Sequence, residues 1–256
     1  MIHKSCLGPL VESEYGFDSP TGGRASIPAM LFFIEQFRDN PEALLAYVAA
    51  FGLSMVVGIA FHEFSHAWAA YELGDNTAAS QGRLTLNPVR HLDPLGTILL
   101  FVVGLGWGRP TPVNPYNLRG GARRGNALVA LAGPLSNLVF AAIAALPFRL
   151  GVIDSIASLD DIRNASSEEI IGLLLFFVVF INVILGVFNL IPIHPLDGFK
   201  IALGILPPPL GNQLAALAPW GPGLLMGLII IGFITPFNPI GMAISSAAEA
   251  VLYVIT

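Results

Sequence analysis

Gly58-Ile59-Ala60-Phe61-His62-Glu63-Phe64-Ser65-His66-Ala67-Trp68-Ala69-Ala70 sets two histidines and a glutamate inside an apolar run, and its reading decides the fold. The run extends from Ala43 to Leu73 and is stopped by Gly74-Asp75-Asn76. It is longer than the roughly 20 apolar residues needed to cross a bilayer, which predicts a membrane helix. On a helix His62 and His66 stand about 40° apart around the axis and about 6 Å apart along it, so one zinc ion can bridge both imidazoles. Glu63 lies about 60° from His66, beside the ligand row, where a carboxylate can take a proton from water as a general base.

The rest of the chain has the composition of a membrane protein. Of 256 residues, 54% are hydrophobic and only 11% charged, and the mean hydropathy is +0.72, far from the balance of a soluble domain. A net charge of -5 with 12 dispersed basic residues excludes nucleic acid as a partner. The single cysteine, Cys6, can form neither an internal disulfide nor a thiolate zinc cluster.

Working outward, Asn126 to Leu150 and Ile170 to Ile191 are expected spans, separated by an acidic loop with Asp154, Asp160, Asp161, Glu168 and Glu169. Leu214 to Ile234 is another, interrupted at Pro219-Trp220-Gly221-Pro222. Ile240 to Ile255 is a short span or a surface helix. Leu95 to Trp107 is too short to cross and reads as a re-entrant element, preceded by a period-two strand pattern at Gln81 to Leu86. Non-helical backbone at membrane depth implies a hydrophilic cavity nearby. The expected fold is therefore an all-α polytopic membrane protein, a bundle of about four to six transmembrane helices with a short re-entrant β/loop element.

The first forty residues show no basic region followed by an apolar core and a cleavage site, so no signal peptide is expected. Ile27 to Phe37 is short and apolar, which suits an interfacial helix. Residues 1–41 are thus expected to be an N-terminal segment and 42–256 one transmembrane core. Arg109, Arg119, Arg123 and Arg124 lie between Gly108 and Gly125 without an acidic residue, which orients that loop and the His62 to His66 end of its helix toward the cytoplasm.

Catalytic zinc usually has three protein ligands and an open position. Glu72 lies about 240° round the helix from His66 and faces away. Asp197 is the better candidate, because prolines and glycine in Asn189-Leu190-Ile191-Pro192-Ile193-His194-Pro195-Leu196-Asp197-Gly198 break the end of a span and can turn it inward. The competing reading is a hydrogen-bonded polar cluster. Burying two imidazoles and a carboxylate in an apolar helix costs several kcal/mol unless they are paired or hold a metal, which favours zinc.

These residues resemble a known family. His62-Glu63-Phe64-Ser65-His66 in an apolar helix, Ala132-Gly133-Pro134-Leu135-Ser136-Asn137, and the segment from Asn189 to Gly198 look like the site-2 proteases. Tyr71-Glu72-Leu73-Gly74-Asp75, the Gln81 to Pro94 segment, and Gly106-Trp107-Gly108-Arg109-Pro110 through Tyr116-Asn117 resemble their minimal prokaryotic branch, without PDZ or nucleotide-sensing domains. The resemblance spans roughly residues 55 to 201 and is far more specific than the pentapeptide alone. It implies His62, His66 and Asp197 as ligands of one zinc ion per chain, Glu63 as the base, and Asn137 as a polar group near the scissile carbonyl. His194 stands where the family more often has proline, and is a candidate ligand instead of, or beside, Asp197. His3 and His91 are expected to be solvated, and Asp75, Asp93 and Arg109 to stabilise loops around the site.

The implied activity is hydrolysis of peptide bonds in or near transmembrane segments. The expected partners are the lipid bilayer and a membrane protein whose helix must unwind before attack, held extended by a strand edge for which Leu84 to Leu86 is the candidate. The rival classes are a zinc or proton transporter using the same polar residues, which calls for polar residues on several helices and an inverted repeat, and an inactive membrane scaffold. The chain shows neither transporter feature clearly, and an intact Glu63 argues against the scaffold.

Overall fold

A computed structural model describes residues 41–103, 106–153 and 164–235, together with 238, 240–242, 245–246 and 249. The expected interfacial helix at Ile27 to Phe37, His3, and most of the stretch from Ile240 to Ile255 lie outside the described residues.

The described chain is helical, in the order α1 (Pro41–Glu72), α2 (Thr77–Ser80), α3 (Pro94–Val103), α4 (Ala122–Arg149), α5 (Ser167–Asn189), α6 (Asp197–Ile205), α7 (Pro208–Ala216) and α8 (Gly221–Ile234). Among the described residues, four segments are long and apolar enough to cross a membrane: α1, α4, α5, and the stretch Pro208–Gly232 that runs through α7 into α8. The protein is an all-α, multi-pass membrane protein.

α4 sits at the centre, against α1, α5 and α6, and α1 also packs on α5. The facing positions are small: Gly52, Ser54, Gly58, Ala60, Ala67 and Ala70 on α1, and Gly125, Ala130, Gly133, Ala141, Ala144 and Ala145 on α4. Lipid tails are as apolar as leucine, so association inside a bilayer depends on close backbone approach, which small residues permit. Larger side chains fill the gaps, as where Tyr47 meets Phe177 edge-on at 4.5 Å. Leu45, Leu53, Leu135 and Ile143 point outward, which is costly in water and favourable in hydrocarbon.

α5 begins with a capping box in which Ser166 and Glu169 each bond the other's backbone N–H. The anticipated break near Pro219 is a 3-10 turn, Ala218–Trp220, between α7 and α8.

Two loop expectations change. Gln81 to Leu86 is not a strand: Gly82 turns at φ 68°, and Arg83 N–H bonds back to Ala78 O at 2.9 Å. Alternation of side chains describes one strand, but a strand also needs a partner ladder, and none faces this segment among the described residues. The candidate edge at Leu84 to Leu86 is therefore not formed. His91 is fully buried rather than solvated, its Nε2–H donating to Thr85 O at 2.7 Å. The short apolar stretch that follows is α3, about 15 Å long at 1.5 Å per residue, too short to span. Its ends return to one another, with Leu92 bridging Gly108 antiparallel and Arg109 N–H bonding to His91 O at 2.6 Å.

Candidate metal centre

His62 and His66 share the buried side of α1, while α5 ends at Asn189 and the turn that follows delivers Asp197 as the first residue of α6. Gly198 makes this turn possible, because a Cβ there would run into Leu190 O and Ile191 O. Asp197 crosses 131 positions of sequence to reach His66. His62 Nε2, His66 Nε2 and Asp197 Oδ2 form a triangle with all three sides 3.0 Å, and all three residues are buried.

The protonation pattern of this triangle says what it can hold. His66 Nδ1 is 2.7 Å from Val129 O, and a carbonyl only accepts, so Nδ1 carries the proton. His62 Nδ1 is 2.6 Å from Asn137 Oδ1, again an acceptor. With both rings neutral, each Nε2 offers only a lone pair. In that neutral state two lone pairs and a carboxylate oxygen converge within 3.0 Å of one another, an arrangement that a cation satisfies. The separations are close to the ~3.3 Å edge of a tetrahedron with bonds of about 2.05 Å to nitrogen and oxygen. The donor set, two imidazoles and one carboxylate, suits zinc. Lys200 Nζ takes the other carboxylate oxygen, Oδ1, at 3.1 Å, leaving Oδ2 for the ion.

Glu63, half-buried, is held from a different direction. Thr111 N–H donates to Glu63 Oε2 at 2.8 Å, and Thr111 Oγ1–H donates to Glu63 O at 3.0 Å. The Gly108 to Pro112 segment that carries Thr111 is itself fixed by Arg83, whose Nη2 donates to Arg109 O at 2.7 Å and Pro110 O at 2.9 Å. Burial lowers the pKa of the Arg83 guanidinium, the Glu63 carboxylate opposes this, and Arg109 and Arg90 add to it. A cavity of about 480 Å³ opens here, lined by Gln81, Arg83, Arg90, Arg109, Pro110 and Pro112 among others. It is a hydrophilic space beside the segment that holds Glu63.

Asn137 is fully buried with its amide filled: Oδ1 faces His62, and Nδ2 donates to Gly58 O at 3.0 Å and Asn182 Oδ1 at 2.8 Å. His194 is not part of the triangle; its ring meets Phe199 edge-on at 5.5 Å. Glu72 is exposed at the end of α1. Asp75 is buried and organises the loop beyond α1, accepting from Thr77 N and Oγ1, Asn114 N and Asn117 Nδ2. Asp93 bonds Gly96 N at 2.9 Å and starts α3.

Sequence reasoning missed Gly133, Thr111, Lys200 and Asn182. A Cβ on Gly133 would lie 2.5 Å from His66 Nε2 and 2.7 Å from His62 Cε1, so this glycine makes room for both imidazoles. Only its place in the Ala132 to Asn137 motif hinted at a role. Lys200, three residues after Asp197, was within reach of a helical-spacing argument. Thr111 and Asn182 left no signal.

Comparison with known proteins gives a consistent result. Residues 149–217 match the model of peptidase family M50. The "Putative zinc metalloprotease YwhC" of Bacillus subtilis (strain 168) is 38% identical over 207 residues, covering 80% of this chain and 88% of that one. A protein of the same description, Rip2 of Mycolicibacterium smegmatis, is 31% identical over 198 residues, covering 75% and 70%. Rip2 of Mycobacterium tuberculosis (strain H37Rv) gives the same identity and coverage. No solved structure matches the chain.

Proposed function

The chain belongs to peptidase family M50, the site-2 type of intramembrane zinc metalloprotease, and from that premise we propose that His62, His66 and Asp197 hold the zinc ion while Glu63 is the general base. The observation that carries this reading is the buried triangle of His62 Nε2, His66 Nε2 and Asp197 Oδ2, 3.0 Å on each side. A zinc ion bound there supplies Lewis acidity, polarising the peptide carbonyl and lowering the pKa of water toward about 7.

The remaining steps belong to side chains of this protein. Thr111 N–H engages Glu63 Oε2 and leaves Oε1 as the oxygen that takes the proton of the attacking water. Glu63 takes that proton as the water oxygen bonds to the scissile carbonyl carbon, then gives it to the amine nitrogen as the C–N bond breaks. No covalent bond to the protein is needed. Asn137 enters this reading through His62, which it orients; acting on the scissile carbonyl requires its amide to leave Gly58 O and Asn182 Oδ1.

The protein acts on membrane substrates, and in this reading the substrate is a membrane protein whose transmembrane helix unwinds locally to expose the bond. Residues 42–256 are read as one catalytic core and residues 1–41 as an appended segment. The basic loop from Gly108 to Gly125 supports a catalytic site nearer the cytoplasmic face.

The test is cleavage of a tagged single-span membrane protein by wild type and Glu63→Gln, with bound zinc quantified in both. Zinc retained in both, with cleavage lost only in Glu63→Gln, is the expected result. Equal cleavage by the two proteins rules out Glu63 as the base.

A further inference from the structure

We infer that Asn182, in the middle of α5, is a positioning residue for the metal centre, acting through Asn137 to fix the tautomer and orientation of His62. This rests on the reading of His62 as a zinc ligand.

Asn137 on α4 and Asn182 on α5 are both fully buried within candidate spans. Two amides in apolar surroundings need partners, and a pairing between helices would meet that need whichever way the amides pointed. Here the direction is determined. Val178 O and Gly58 O can only accept. Val178 O takes Asn182 Nδ2–H at 2.8 Å, so Asn182 Oδ1 faces Asn137. Gly58 O takes one Asn137 N–H at 3.0 Å and Asn182 Oδ1 takes the other at 2.8 Å. Asn137 Oδ1 is left against His62 Nδ1 at 2.6 Å. A neutral imidazole must therefore carry its proton on Nδ1 and present the Nε2 lone pair toward Asp197 Oδ2 and His66 Nε2.

Reversing Asn137 would set its oxygen against two acceptors, Gly58 O and Asn182 Oδ1, so Asn182 helps close off the wrong orientation. Three helices contribute to one protonation choice: α1 through Gly58 and His62, α4 through Asn137, α5 through Asn182. The close approach of α1 to α5 depends on Gly58, where a Cβ would lie 2.8 Å from Leu185 Cδ1 and 3.0 Å from Asn182 Oδ1.

Partners that orient a metal-binding histidine typically change metal affinity about 10- to 100-fold when removed. The experiment is a competition titration of zinc against a chromogenic chelator, on full-length protein in detergent, for wild type, Asn182→Leu, Asn182→Asp and His62→Ala. The absorption spectrum of the cobalt-loaded proteins and their melting temperatures are recorded alongside. Asn182→Leu is expected to weaken zinc about 10- to 100-fold and alter the cobalt spectrum. Asn182→Asp, protonated in this buried setting, can donate its O–H to Val178 O and keep an acceptor facing Asn137, and is expected to stay within about threefold of wild type. If Asn182→Leu does not fold, Asn182→Ser, too short to reach Asn137, is read in its place with the same expectation. Wild-type zinc affinity and spectrum in a folded Asn182→Leu or Asn182→Ser overturn the relay and leave the metal-site reading standing. Wild-type zinc affinity in His62→Ala overturns both.

Discussion

Gly133 lies directly against His66: a Cβ on this glycine would stand 2.5 Å from both Cε1 and Nε2 of that ring. α4 therefore comes so near to α1 at the metal centre that one methyl group competes with the histidines for the same space. Gly133→Ala should lower zinc affinity at least about tenfold, because the rings must move, while the helix itself gains about 1 kcal/mol of propensity. A chelator competition paired with a melting curve separates the two effects. Wild-type affinity in the alanine variant would mean that the rings yield without losing the ion.

Asp197 supplies the only negative charge in the triangle. Asp197→Ala should weaken zinc by about 100-fold or more, since only two imidazoles then remain of the proposed three-ligand site. Removing zinc from the wild type should lower its melting temperature. At a free zinc concentration about 100 times the Kd, the stabilisation withdrawn is about 2.7 kcal/mol. A melting temperature indifferent to a strong chelator contradicts the assignment.

Thr111 holds Glu63 by two bonds, only one of which involves its side chain. Thr111→Val removes the hydroxyl bond to Glu63 O, a contact worth about 1 kcal/mol, and keeps the N–H on Oε2. The expected result is a fall in kcat of about fivefold with bound zinc and KM unchanged. A change in zinc content instead would tie Thr111 to metal binding rather than to Glu63.

Asp75 accepts four hydrogen bonds that close the loop between α1 and α4. Burial pushes its pKa up, but the bonds from Thr77, Asn114 and Asn117 outweigh burial and hold the carboxyl below its ordinary value. A carboxylate with a depressed folded pKa stabilises the protein above the unfolded value of about 3.9, and that contribution is lost as pH falls through the folded pKa. Asp75→Ala should cost about 3 kcal/mol at neutral pH by leaving buried donors unpaired. Its melting temperature should approach that of the wild type below pH 4. An equal gap between the two proteins at pH 7 and pH 3 would show that ionised Asp75 contributes nothing.

The pairing of His62 with His66 was legible because it is a property of one helix: four residues at 3.6 per turn return to the same face, whatever surrounds them. The membrane spans were legible for a similar reason, since length and apolarity are local quantities measured against a bilayer of known thickness. Asp197 was within reach because Pro192, Pro195 and Gly198 announce a broken helix beside a carboxylate. The strand pattern at Gln81 to Leu86 misled because alternation is local, whereas a strand exists only when another segment completes its ladder. His91 read as solvated because nothing beside it in sequence shows that Thr85 O and the returning Gly108 segment enclose it.

What sequence alone determined, then, was that this chain lives in a membrane and carries a zinc-protease signature on one helix. What only tertiary structure decided was the company those residues keep: Gly133 pressed on the imidazoles, Thr111 on Glu63, and the amides of Asn137 and Asn182 directing His62. Each of these contacts joins parts of the chain that are tens of residues apart, through groups with no distinctive chemistry of their own. Their roles arise from how closely α1, α4 and α5 pack, and small residues at Gly58 and Gly133 set that distance.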